Sequence, residues 1–221
     1  FKFNLTTSFT GWTSGGNLPT ATVFPGGAGT QTAGLIFGGA IGPPGNTDKT
    51  FEYNGSAWTA GGNLPEANAY MVGVGIQTAA LSCAGQVPPD KNATHAYNGT
   101  SWTTGGNLAI GRRAAAGAGT QTAALVFGGS PTGGPAGIAT EEYNGSSWTN
   151  GGNLTTSRRY FAGAGTQTAG LGFGGRPDTT PNGGNETEEY DGSSWTNGGN
   201  LNTARKYMGG CGLQTAGLAF G

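Results

Sequence analysis

Hydrophobic and small residues alternate along this chain in short runs, and the runs recur. In one of them Ala169, Leu171 and Phe173 occupy alternate positions, with Gly170 and Gly172 between. Four more read Ala33-Leu35-Phe37, Ala79-Leu81-Cys83, Ala123-Leu125-Phe127 and Ala216-Leu218-Phe220 at the same alternate positions. A period of two places these side chains on one face of a β-strand and the small residues on the other. Large on one face and small on the other suits a sheet packed between two like neighbours. Each buried Leu or Phe then contributes roughly 1.5–3 kcal/mol.

Each run opens at a Gln-Thr pair: Gln31, Gln77, Gln121, Gln167 and Gln214. Glycines stand two and four residues before every one of these glutamines, as Gly165 and Gly163 do before Gln167. A preceding strand with one bare face is predicted, and close approach of neighbouring backbones near an axis accounts for the bareness. After the apolar run a Gly-Gly pair, or Ala84-Gly85 once, ends the strand. Two further runs then form a hairpin over Asn54-Gly55, Asn98-Gly99, Asn144-Gly145 and Asp191-Gly192. Such dipeptides favour a type I′ turn with positive φ. Tyr53, Tyr97, Tyr143 and Tyr190 each stand five residues before a tryptophan, which predicts aromatic filling of the wider gaps between outer strands.

A tryptophan (Trp12, Trp58, Trp102, Trp148, Trp195) precedes each anchor glutamine by 19 residues, and successive anchors are 44–47 residues apart. That period is the period of four-stranded propeller blades. The expected fold is all-β: a single five-bladed β-propeller of four-stranded antiparallel blades. The blades fall near 20–61, 66–105, 110–151, 156–198 and 203–221, the last completed by residues 1–15. Closure by N-terminal strands removes exposed sheet edges.

Composition narrows the function classes. Charged residues make up 10% of the 221 and the net charge is −1, so neither nucleic acid nor anionic membrane is an expected partner. No apolar run approaches the length of a membrane-spanning helix. The 47 glycines recur at fixed repeat positions without a Gly-X-Y period, which excludes collagen. The chain begins at Phe1, as expected of a mature product or of a domain within a longer chain. Cys83 and Cys211 take apolar positions of non-neighbouring repeats, so both are expected as small buried residues without a disulfide.

Arg158, Gly174-Gly175, Glu188-Glu189-Tyr190 and Trp195 together resemble the kelch repeat. The resemblance covers the whole chain, weakly in the first blade, and implies a propeller; five blades is a departure from the six or seven more often found. The Gly-Thr-Gln-Thr-Ala-Gly-Leu style is similar to kelch-like repeats of bacteriophage structural and tail-associated proteins, which implies a virion-surface location. Five blades also resemble propeller glycosidases, but the inner strands here hold no Asp or Glu for the acid and nucleophile roles. Kelch-type copper oxidases need histidine ligands, and His95 is the only histidine; it is expected as an ordinary surface or edge residue. With no Cys/His cluster at metal spacing, no cofactor and no enzymatic activity are expected.

Length variation is confined to loops 40–50, 86–93, 130–139 and 176–185, which carry eight of the eleven prolines. In a four-stranded meander these loops and the blade-to-blade links leave on one face, where binding is expected. Six of the ten basic residues sit eight and nine positions before an anchor glutamine: Arg112, Arg113, Arg158, Arg159, Arg205 and Lys206. One reading pairs these arginines with Glu141, Glu142, Glu188 and Glu189. The other makes them, with Tyr160 and Tyr207, a site for an anionic ligand. The five glutamines read as turn residues bonding backbone, or as an axial polar ring. The expected function is a non-enzymatic adhesion module of a phage virion or tail fibre recognising host surface glycans. The alternative is an intracellular kelch-type scaffold gripping an acidic peptide, and a glycoside-active propeller is a third reading.

Overall fold

The computed structural model describes residues 12–42, 45–87, 89–131, 137–177 and 182–221. They form a β-propeller of antiparallel sheets. The first blade is β1 (Gly26–Thr30), β2 (Ala33–Phe37), β3 (Thr50–Tyr53) and β4 (Trp58–Ala60), paired in that order. The second is β5 (Val72–Ile76), β6 (Ala79–Cys83), β7 (Thr94–Tyr97) and β8 (Trp102–Thr104). The third is β9 (Ala116–Gly119), β10 (Ala124–Phe127), β11 (Thr140–Tyr143) and β12 (Trp148–Asn150). The fourth is β13 (Ala162–Gly165), β14 (Gly170–Phe173), β15 (Thr187–Tyr190) and β16 (Trp195–Asn197). A fifth sheet holds two strands among the described residues, β17 (Gly209–Leu213) and β18 (Ala216–Phe220). The strands expected to complete it fall on residues 1–11, outside the described residues.

The apolar triplets pack between blades as their alternation requires. Leu35, Phe37, Ala80, Tyr97 and Trp102 form one core across the first and second blades, and Leu125, Phe127, Tyr190 and Trp195 another across the third and fourth. The outer aromatics also carry polar ties. Trp102, Trp148 and Trp195 donate their indole N–H to Thr50, Thr94 and Thr140 of the preceding blade at 2.9–3.0 Å. Tyr97 and Tyr190 donate their hydroxyls to Glu52 and Glu142, and burial followed by these bonds pushes both phenols up to about 12.

The anchor glutamines are inter-blade staples. Gln77, Gln121, Gln167 and Gln214 each donate one amide nitrogen to two carbonyls of the preceding blade; for Gln167 these are Ala124 at 3.0 Å and Tyr143 at 2.7 Å. This is the backbone-bonding reading, with the carbonyls lying across the blade boundary.

Two turn expectations need correction. The strand glycines do not share one cause. A Cβ on Gly73 or Gly163 would meet the backbone of the neighbouring blade within 2.3–2.6 Å, which is the expected crowding. Gly165 and its equivalents instead have φ near +100°, a region that L side chains rarely adopt. The hairpins are not type I′ either. Asn54, Asn98 and Asn144 are absent from the positive-φ residues, and each accepts two backbone N–H bonds, from the second and third residues on, through Oδ1. Asp191 does the same, and those bonds hold its carboxyl down at about 2. A local acceptor is what the position needs, so Asn and Asp interchange.

Inside each of the first four blades a three-residue set decides one buried polar site. In the fourth blade Arg158, wholly buried, reaches Glu188 at 2.7 Å and the carbonyls of Gly174 and Glu186 at 3.3 and 2.9 Å. Glu188 also accepts the N–H groups of Thr155 and Thr156. Arg112, Glu141 and Ala109 repeat this in the third blade. In the second blade the equivalents are Asn68, His95 and Pro65, and in the first Thr22, Phe51 and Pro19. Proline has no N–H to satisfy, so the carboxylate is dispensable, and without it a buried arginine would be uncompensated. Of the arginine's bonds, Asn68 and Thr22 keep the one to the strand-end carbonyl, of Ala84 and Gly38 respectively, and Asn68 also accepts the Ala69 N–H through Oδ1. His95 is therefore neither surface nor edge: it lies within β7, buried, and burial lowers its pKa against the opposing pull of Glu66.

Cys83 is buried as expected, and Cys211 is exposed, contrary to expectation. Both are free thiols. Burial raises the Cys83 pKa well above the ordinary thiol value.

Candidate functional site at the axis

The residue seven before each anchor glutamine enters the innermost strand: Phe24, Tyr70, Ala114, Tyr160 and Tyr207. All five have positive φ, between 54° and 59°. Left-handed backbone costs an ordinary residue about 1–2 kcal/mol. A hoop of hydrogen bonds accounts for the conformation. Tyr70 donates its N–H to the carbonyl of Phe24, Ala114 to Tyr70, Tyr160 to Ala114 and Tyr207 to Tyr160, at 2.9–3.1 Å. The hoop does not account for the rings, because Ala114 makes the same bonds with a methyl group.

The rings converge on the axis. Phe24 stacks on Tyr70 with centroids 4.2 Å apart, Tyr70 meets Tyr160 at 6.0 Å, Tyr160 meets Tyr207 at 4.5 Å, and Tyr207 meets Phe24 at 5.9 Å. They form the wall of a cup of about 310 Å³. Its lower tier is Pro25, Met71, Ala115, Phe161 and Met208, and beneath that the axis is lined by the glycines of the inner strands. Phe24 is 38% exposed and Tyr207 51%. The lining contains no carboxylate, imidazole or thiol. Burial and the neighbouring tyrosines raise the Tyr70 phenol, opposed by Arg113, so a ligand meets it uncharged.

The cup opens on the face of the variable loops. Short bridges tie the residue before each axial position to that blade's loop: Val23 to Ala40, Ala69 to Gln86, Arg113 to Ser130 and Arg159 to Arg176. An open groove of about 670 Å³ leaves the cup between the loops of the first two blades, lined by Val23, Ala40, Asn46, Ala67 and Val87 with Phe24 and Tyr70 as its inner wall.

The basic residues split into two sets. Arg112 and Arg158 are corrected from surface to interior: they are 2% and 0% exposed and bound to Glu141 and Glu188. The pairing reading holds for them, as buried pairs; burial lowers both guanidinium pKa values and the carboxylates oppose the shift. Arg113, Arg159, Arg205 and Lys206 are only part-buried. Arg113 bonds Asp90 at 3.2 Å and Arg159 bonds Ser130 at 3.3 Å. The Arg159 guanidinium lies 5.9 Å from the Tyr160 ring centre, and the Lys206 ammonium 5.7 Å from that of Tyr207. Arg205 donates to the Gly221 carbonyl.

Tyr160 and Tyr207 thus line the cup, with Arg159 and Lys206 over their rings, and Arg113, paired with Asp90, acts electrostatically on Tyr70. Phe24 and Tyr70 belong to the cup and were not expected. Their signal was a column, aromatic in four of five repeats, but a search led by charge passes over blades whose neighbouring residues are Val23 and Ala69.

Among the described residues no group of three or more His, Cys, Asp or Glu is placed to hold a metal ion. Nor is any helix among them long and apolar enough to cross a membrane. Neither a protein-family model nor a curated protein matches this chain, so the kelch resemblance rests on the quoted residues and the propeller on the fold itself.

Proposed function

We propose that this chain is a non-enzymatic binding module whose ligand seats on the axial aromatic cup. One observation carries the reading. In a chain with 47 glycines, four of five positions held at positive φ are aromatic, although the residue that suits that backbone without strain is glycine and alanine serves the hoop equally well. Strain retained for side chains that the backbone hoop does not need points to recognition. The exposed parts of Phe24 and Tyr207 offer apolar surface, and Arg159 and Lys206 place cations beside the rings.

The ligand class that fits is a surface glycan, and the setting is an exposed domain of a phage virion or tail fibre. The test is a glycan array probed with the parent protein and with Tyr160→Ala. Selective binding that the variant loses supports the reading. Binding of an acidic peptide with no glycan recognised would transfer the site to an intracellular kelch-type scaffold.

We further propose that the fifth blade is completed by the N-terminal segment, giving a closed five-bladed ring. Removing residues 1–13 should then abolish cooperative unfolding, because the outer half of a blade is lost. A truncated protein that melts as sharply and as high as the parent would end the closure proposal.

A further inference from the structure

The two sides of the cup differ in chemistry. On the side of the first two blades the residue before the axial ring is Val23 or Ala69, and the groove that leaves between the loops has no charged residue among the described residues of its lining. On the side of the third to fifth blades the same position is Arg113, Arg159 or Lys206. The Phe24–Tyr70 stack is the wall common to cup and groove, while the Tyr160–Tyr207 pair is flanked by the cations. The hoop uses the N–H groups of Tyr70, Ala114, Tyr160 and Tyr207. An extended peptide would need such main-chain partners, whereas a sugar needs ring faces and side-chain donors.

We infer that the site reads a two-part acidic oligosaccharide: a carboxylated sugar over Arg159 and Lys206, joined to a sugar whose N-acetyl group enters the groove beside Val23, Ala67 and Val87. This rests on the binding reading above and adds a ligand class and a direction to it. Arginine and lysine meet the carboxylate by charge-assisted hydrogen bonds. The acetyl methyl meets valine and alanine. The sugar rings between these two groups lie on the exposed surface of Phe24 and Tyr207. Only a ligand with both features fills both halves.

The test compares three tetrasaccharides by calorimetry at low salt. The hyaluronan tetrasaccharide alternates glucuronate with N-acetylglucosamine, chitotetraose has acetyl groups without charge, and tetragalacturonate has charge without acetyl groups. The hyaluronan probe should bind at least about tenfold more tightly than chitotetraose, the difference expected for losing one charged hydrogen bond, and about fourfold more tightly than tetragalacturonate, the difference for one buried methyl group. Arg159→Ala with Lys206→Ala should erase its advantage over chitotetraose, and Val87→Asp its advantage over tetragalacturonate, with melting temperatures confirming folded variants. Chitotetraose binding as tightly as hyaluronan would remove the basic half, and tetragalacturonate doing so would remove the groove. Binding of none of the three sugars would overturn the inference. Binding of poly-glutamate alone would overturn it in favour of a peptide. Glycan binding on the array that depends on Tyr160 but shows no preference for acid or acetyl would sink this inference and leave the proposed function standing.

Discussion

Glu188→Ala tests the most consequential buried interaction. The substitution leaves the Arg158 guanidinium, 0% exposed, without its carboxylate, and the N–H groups of Thr155 and Thr156 without an acceptor. Stranding one partner of a buried ion pair costs about 3–5 kcal/mol. Each unsatisfied N–H adds about 1–3 kcal/mol where water cannot reach it. A loss of about 4 kcal/mol or more is expected, a fall in melting temperature of about 8–16 °C for a domain of this length. The rescue follows the first blade. Glu188→Phe, Arg158→Thr and Thr155→Pro together reproduce Phe51, Thr22 and Pro19, removing the charge, its partner and one of the two donors, and leaving the Thr156 N–H as the residual cost. The triple variant should recover most of the loss. Calorimetric melting of parent, single and triple variants at neutral pH decides. A single variant losing under about 1 kcal/mol, or a triple no better than the single, would refute the three-residue dependence.

Two further outcomes follow. Gly165→Val should destabilise by several kcal/mol, since the added Cβ would meet the Ala169 carbonyl at 2.1 Å in a backbone of φ +100°; an unchanged denaturant midpoint would show that the strand can relax, against the usual range of overpacking penalties. His95 has a folded pKa below its unfolded value of about 6.5, so its contribution is full above that pH and is lost as pH falls through it towards the folded value. His95→Phe, the residue of the first blade at this position, should flatten the fall in melting temperature between pH 7.5 and 5.5, and an equally steep fall in the variant would exclude His95 as its source.

The blade pattern was legible because its causes are local: alternation of Ala169, Leu171 and Phe173 sets a strand face, and a fixed spacing sets a repeat. The face on which the loops vary was legible as well, from loop lengths. What the sequence could not show was which of two adjacent basic residues turns inward. Arg112 and Arg113 look alike in sequence, and only the meeting of Arg112 with Glu141 across 29 residues separates them. The hairpin asparagines misled because Asn-Gly fits both a positive-φ turn and a side-chain acceptor turn. Phe24 and Tyr70 were hidden because convergence on an axis joins residues 46 and more positions apart, and no local pattern marks them as one wall.

The central claim is that the axial rings serve a ligand and not the fold. Converting Phe24, Tyr70, Tyr160 and Tyr207 to alanine makes every axial position what Ala114 already is, with the hoop of backbone bonds intact. The measurement is the variant's melting temperature beside its binding to the glycans that the parent recognises. Retained cooperative melting with binding abolished is the predicted result. Collapse of the fold, or a folded variant that binds as the parent does, would contradict it.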